Sequence, residues 1–247
     1  MRKVILHYHL FKNAGTSLDA AFKENFSEEK GEWVTKEFPN QPAANREQVR
    51  QWILDNPQAK CFSSHTALFP VPEFDDIEVF PVIFIRHPLD RIASAYTFEA
   101  KQKVDTFGSV LARNTSLEGY ISVRLSLTQD RQCRNYHTFR LATCTQKSQE
   151  AELLSALTTM ESLPFVGLVE QYNQSTERLN IALNKSGFKN INLKPQQKNQ
   201  SSNSSIGLQD KIESLQKKLS PIVFSKLLEA NENDSKIYEY VKEKYAI

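Results

Sequence analysis

The chain has 247 residues, 40% of them hydrophobic and 24% charged, with a formal net charge of +2. That length holds one sizeable α/β domain or two small ones, and the near-neutral charge excludes a nucleic-acid binder driven by bulk charge. No run of about 18 apolar residues is present, which excludes a transmembrane helix.

In chain order, Lys3–His9 (KVILHYH) is β-branched and aromatic, a buried strand. Its apolar run VIL is too short for the core of a secretory signal, so the chain is expected to be cytoplasmic. A helix is predicted over Thr16–Phe26. Residues 27–58 are polar and carry Pro39, Pro42 and Pro57, with one helix expected at Asn45–Leu54. Cys61–Phe62 reads as a short strand ending at Ser63-Ser64-His65. VFPVIFIR, Val79–Arg86, is the clearest buried strand, and Pro88 then opens a helix to about Lys103.

Helices are predicted over 116–128, 134–142 and Glu150–Ser162, then a strand at Phe165–Glu170 and a helix over Asn173–Ser186. Residues 189–206 are breaker-rich and read as a loop. The remainder is helical, over 208–219, 221–231 and 234–245. Three cysteines, Cys61, Cys133 and Cys144, with no C-x-x-C spacing, argue against a disulfide framework and against a zinc site; they read as free thiols.

The strands are continuous apolar runs separated by helices. That pattern predicts an α/β, P-loop-type three-layer fold. A central parallel sheet of about four to five strands is flanked by helices, with a helical C-terminal region, in one domain over 1–247. Ligands of such folds bind at the carboxyl ends of strands. The Lys12 loop, His65 and Arg86 all follow strand ends.

HYHLFKNAGTSLDAAF, His7–Phe22, has the layout of a phosphate-binding loop: strand, small-residue turn with one Lys, then helix. Lys12 precedes Gly15, whereas the nucleotide-triphosphate loop places its Lys after the last Gly. Ala14 and Gly15 let backbone N–H groups approach an oxyanion. The helix adds its N-terminal dipole, and Lys12, Thr16 and Ser17 add a charge and two hydroxyls. The competing reading is that Thr16-Ser17 merely caps the helix. At the second strand end stands Arg86, where a Mg²⁺-dependent NTPase needs a carboxylate; a cation there indicates a metal-free anion site. Arg86 and Ser94 can share a second phosphate through charge-assisted bonds. Asp90 and Arg91 read as surface charges of the helix.

HLFKNAGTS together with RHPLDRIASAY resembles the sulfotransferases that use 3′-phosphoadenosine 5′-phosphosulfate (PAPS), nearest to the carbohydrate, uronosyl 2-O-sulfotransferase-like branch. FSSHTALF, NYHTFRL and FVGLVEQYNQS resemble further segments of that branch. Phe11 stands where the family usually has Pro, and Asn13-Ala14 stand for Thr-Gly. The resemblance implies that Lys12, Asn13, Ala14, Gly15, Thr16 and Ser17 hold the 5′-phosphosulfate, with Lys12 on the leaving oxygen. It implies Arg86 and Ser94 on the 3′-phosphate, and Lys198, Asn199 and Ser201 in a lid over the nucleotide. His65 is implied as general base, with His137 and Arg140 facing the acceptor.

The expected reaction moves a sulfuryl group from PAPS to a hydroxyl or amine of a small-molecule or sugar acceptor. It releases 3′,5′-adenosine bisphosphate (PAP) without a metal. His9 reads as a packed, hydrogen-bonded residue. Two alternatives remain open: a P-loop nucleotide kinase or NTPase, and a non-catalytic nucleotide-binding protein.

Overall fold

The computed structural model describes residues 1–142, 148–195 and 207–245. Among these residues five parallel strands lie in the order β2-β3-β1-β4-β5. They are β1 Arg2–Tyr8, β2 Trp33–Thr35, β3 Cys61–Ser64, β4 Ile77–Ile85 and β5 Gly167–Leu168. Helices flank the sheet, as the alternating pattern requires.

The chain divides into two compact units. The first spans Met1–Ile85 and Arg140–Gln200, and holds the sheet with α1 (Gly15–Lys23), α2 (Pro42–Asp55), α7 (Gln149–Ser162) and α8 (Tyr172–Lys185). Register sets its two faces. Ile5 pairs with Cys61 and Phe80, so these side chains share one face, and Leu6 with Phe62 share the other. Leu18, Ala21 and Phe22 of α1 and Leu179 and Leu183 of α8 join the Ile5 face in one core. Each such buried side chain contributes about 1.5–3 kcal/mol. On the opposite face Trp52 of α2 meets Phe62 edge-on at 4.8 Å, and Tyr8 stacks on Phe69 at 4.0 Å.

The second unit spans Arg86–Phe139 and Ser201–Ile247. It holds α3 (Pro88–Glu99), α4 (Phe107–Asn114), α5 (Leu117–Ser126), α9 (Leu208–Gln216), α10 (Pro221–Ala230) and α11 (Glu232–Lys244). Its apolar core joins Leu89, Ile92, Tyr120, Ile121, Leu215 and Leu227. A buried polar junction lies beside it. Asp234 accepts from the backbone N–H groups of His137 (2.9 Å) and Thr138 (2.8 Å) and from the Thr138 hydroxyl (2.8 Å). These acceptors serve the start of α6 (Tyr136–Leu141), whose first N–H groups have no intrahelical partner.

Several expectations shift. β2 lies inside a stretch read as polar, and α4 was not expected at all. β5 keeps two residues of the expected six before the chain tightens into a 3₁₀ turn at Val169–Gln171. Asp90 and Arg91 are not surface charges. Arg91 is fully buried and Asp90 nearly so. Arg91 donates to the carbonyl and side-chain oxygens of Gln132 and lies over the Tyr136 ring at 4.3 Å. Cys61 and Cys133 are free and buried, and burial pushes the Cys133 thiol up to about 12; Cys144 lies outside the described residues.

Candidate active site

β1 is the middle strand; the connection leaving it runs toward β2 on one side, and the connection leaving its neighbour β4 runs toward β5 on the other. Ligands of open parallel sheets bind at such a reversal, outside the carboxyl ends of the strands. The segment leaving β1 there is Leu10–Ala14. Lys12 (φ 64°) and Ala14 (φ 60°) both adopt the left-handed conformation. For residues with a Cβ that costs about 1–2 kcal/mol each, and strain of this kind concentrates at ligand clamps. The expected special residue, Gly15, is not one of the two.

α1 starts at Gly15 with Ala14 as N-cap, and no side chain caps it. Thr16 and Ser17 therefore lie inside the first turn, which removes the capping reading. Ser17 is buried and Thr16 exposed. Asn13 is buried and its amide donates to the Phe11 carbonyl at 2.9 Å, holding the turn. Backbone N–H groups at a helix start with no capping side chain are the donors that bind phosphate or sulfate.

Gly15 is required by a neighbour. A Cβ on it would lie 1.9 Å from Cδ2 and 2.2 Å from Nε2 of His9. The His9 ring is thus wedged beneath the loop. Its Nδ1 is 2.8 Å from Oδ2 of Asp19 on α1, and His7 Nδ1 is 2.7 Å from Oδ1 of the same carboxylate. The Ser63 hydroxyl donates to that Oδ1 at 2.7 Å. Burial alone would raise the Asp19 carboxyl, but the charges and hydrogen bonds of His7 and His9 outweigh it and hold it well below the usual carboxylate range. Burial pushes His9 below the ordinary imidazole value against the pull of Asp19. The ring nitrogens of His7 and His9 and the carboxylate oxygens of Asp19 all lie within 4.8 Å of one another. The two His–Asp19 separations, 2.7 and 2.8 Å, are hydrogen-bond lengths, and we read a hydrogen-bonded cluster.

His65 is exposed at the end of β3. Its ring lies 3.8 Å from that of His9, centroid to centroid, tilted by 42°. Its Nδ1 is 3.1 Å from the His9 carbonyl oxygen. A carbonyl only accepts, so Nδ1 carries the proton and Nε2 keeps its lone pair. Loss of solvent where the ring packs on its neighbours, and then the charge of His9, lower its proton affinity, while Glu37 and Asp19 raise it. The Glu37 carboxylate accepts from the His65 backbone N–H at 3.2 Å. Arg140 donates to the His65 and Ala67 carbonyls at 2.9 and 3.0 Å, tying down the turn that carries His65.

In the second unit, Arg86 follows β4 directly in the chain and is bound by Asp90 at 2.8 Å. Lys211, which the sequence reading passed over, approaches the same Asp90 oxygen at 3.9 Å. Ser94 is half-buried on α3. His137 is fully buried with Nδ1 3.1 Å from Asp234, a place within a core rather than on an acceptor face. Lys198, Asn199 and Ser201 lie outside the described residues.

The structure thus brings together the Lys12–Ser17 loop, His65 and the turn-holding Arg140. It adds His9, Asp19 and Ser63, which had no assigned chemistry. Their one sequence signal was His7 and His9 two apart on a strand, hence on one face. Asp19, on the next helix, gave none. Among the described residues no helix is long and apolar enough to cross a membrane.

The chain is 35% identical over 252 residues to an uncharacterized protein of Archaeoglobus fulgidus, covering 99% of this chain and 98% of that one. The profile of the sulfotransferase family matches residues 1–241, which is nearly the whole chain. The protein belongs to the sulfotransferase family.

Proposed function

We propose that the protein transfers a sulfuryl group from PAPS to a hydroxyl or amine of a small-molecule or sugar acceptor, as one functional domain over 1–247. The observation that carries this reading is the loop after β1. Two left-handed residues and a helix start with no capping side chain form the kind of backbone turn that offers N–H groups to a small anion, with Lys12 in the same turn. The donor supplies the sulfuryl group and a phosphate leaving group.

In this reading the loop N–H groups, Asn13, Thr16 and Ser17 orient the 5′-phosphosulfate. Lys12 neutralises charge growing on the oxygen that leaves. Arg86 and Ser94 are assigned the 3′-phosphate, and Lys198, Asn199 and Ser201 the lid. His65 Nε2 takes the acceptor proton, a role that suits a neutral imidazole. Arg140 acts by holding the His65 turn. The uronosyl 2-O-sulfotransferase-like branch is the reading we favour for ancestry, on the FSSHTALF, NYHTFRL and FVGLVEQYNQS segments.

Calorimetric binding of PAP and of ATP, each with and without Mg²⁺, tests the donor. PAP is expected to bind regardless of Mg²⁺ and to weaken by about 10- to 100-fold in Arg86→Ala, from loss of a charged hydrogen-bonding partner. Binding of Mg·ATP with PAP inert would replace this reading by a nucleotide kinase.

A further inference from the structure

We propose that Asp19 and His9 form a positioning pair for His65, fixing its tautomer and compensating the charge it gains on taking the acceptor proton. This rests on the sulfuryl-transfer reading above. Asp19 accepts from His9 Nδ1 at 2.8 Å and so leaves Nε2 of neutral His9 without a proton. The His9 ring is confined on one edge by Gly15 and packs against the His65 ring at 3.8 Å. The carbonyl of the same residue takes the His65 Nδ1 proton at 3.1 Å. One residue therefore sets both the orientation and the tautomer of the base.

The acceptor O–H proton moves to His65 Nε2, and the acceptor oxygen forms a bond to sulfur. The bond from sulfur to the phosphate oxygen breaks, and its electron pair leaves with PAP. His65 becomes an imidazolium at that moment. Four groups face it: His9 from the turn after β1, Asp19 from α1, Glu37 from the segment after β2, and Arg140 from α6, whose guanidinium is bonded to carbonyls of the turn. Asp19 is the carboxylate half-buried behind the pair and held ionised by three donors, His7, His9 and Ser63. A fixed, half-buried charge acts at lower effective dielectric than an exposed one such as Glu37. His7 and Ser63 share one oxygen of Asp19 and so keep the carboxylate from turning away from His9.

The test is nitrogen-15 NMR of the imidazoles in the full chain across pH 5–9, with His65 assigned from His65→Gln. In the wild type, His65 and His9 are both expected as Nδ1–H tautomers. In Asp19→Asn, which keeps the side-chain size, the His65 titration midpoint is expected to fall by roughly half a unit to one unit. Ser63→Ala, which keeps the charge, should move it by much less. An Nε2–H tautomer of His65 in the wild type would overturn the proposal without any variant. So would an unmoved midpoint in a folded Asp19→Asn protein, since a merely structural Asp19 would alter melting and not this midpoint. PAP calorimetry on the wild type separates the two readings. A wild type that binds no PAP removes the transfer step, while the tautomer and midpoint results stand on their own.

Discussion

At Gly15 even a single methyl group meets the His9 ring at 1.9 Å, and that ring is tied to Asp19 behind it. Gly15→Ala must displace His9 or the loop, so it is expected to lower stability by about 1–3 kcal/mol and to weaken PAP binding together with it. A thermal melt and PAP calorimetry on the same variant check both. Ala14 presents the opposite case. It sits at φ 60° with a Cβ that favours other conformations. Ala14→Gly is expected to raise stability by about 0.5–1 kcal/mol, read as a higher urea midpoint at unchanged slope. The loop's composition was legible: a small-residue turn with one Lys before a helix. Which of its residues would carry the strained dihedrals was not, because φ at Lys12 and Ala14 is imposed by the direction in which α1 must leave β1.

At the scale of elements, the start of α6 depends on one distant carboxylate. Asp234, in α11, accepts two N–H groups and one hydroxyl there and is itself fully buried. Asp234→Ala strands those donors and His137 without water. The expected cost is about 3 kcal/mol or more, from three buried donors each left unpaired at about 1–3 kcal/mol, with Asp234→Asn losing less; chemical denaturation of the wild type and both variants measures it. β1 and β4 were legible as long apolar runs with a β-branched bias. β2 was not, since Trp33–Thr35 offers three residues inside polar sequence and exists as a strand only by pairing with Cys61–Ser63. β5 was over-read for a related reason: only Gly167 and Leu168 find partners, at Phe84 and Ile85. α4 was missed because eight residues, FGSVLARN, carry too little periodicity, whereas its Thr106–Ser109 capping box is plain once seen.

At the scale of the whole molecule, four histidines are held toward the neutral form, burial being the largest cause: His9, His65, His87 and His137. The unfolded chain would protonate each near pH 6.5. Their folded affinities are lower, so between about pH 6.5 and those lowered values the unfolded state binds more protons. Asp19 and Asp234, both pushed below the usual carboxylate range, add a further loss at still lower pH. Stability is therefore expected to be highest at neutral pH and to fall on acidification. The melting temperature at pH 5.5 should lie below that at pH 7.5, and an equal or higher value would show that these histidines are not held neutral.

By itself the sequence determined the fold class, the two strongest strands, most helices, and the phosphate-type loop with Lys12 ahead of Gly15. Those signals are local: hydrophobic period, proline and glycine punctuation, and residue types within a few positions of one another. Tertiary structure alone decided that Asp19 joins His7, His9 and Ser63, that His9 packs on His65 and beneath Gly15, and that Asp90 and Arg91 are buried. A charged or polar side chain enters a protein interior only when partners satisfy it, and for Asp19 and Arg91 these include Ser63 and Gln132, far away in the chain. Such partners leave no periodic trace in the residues around it.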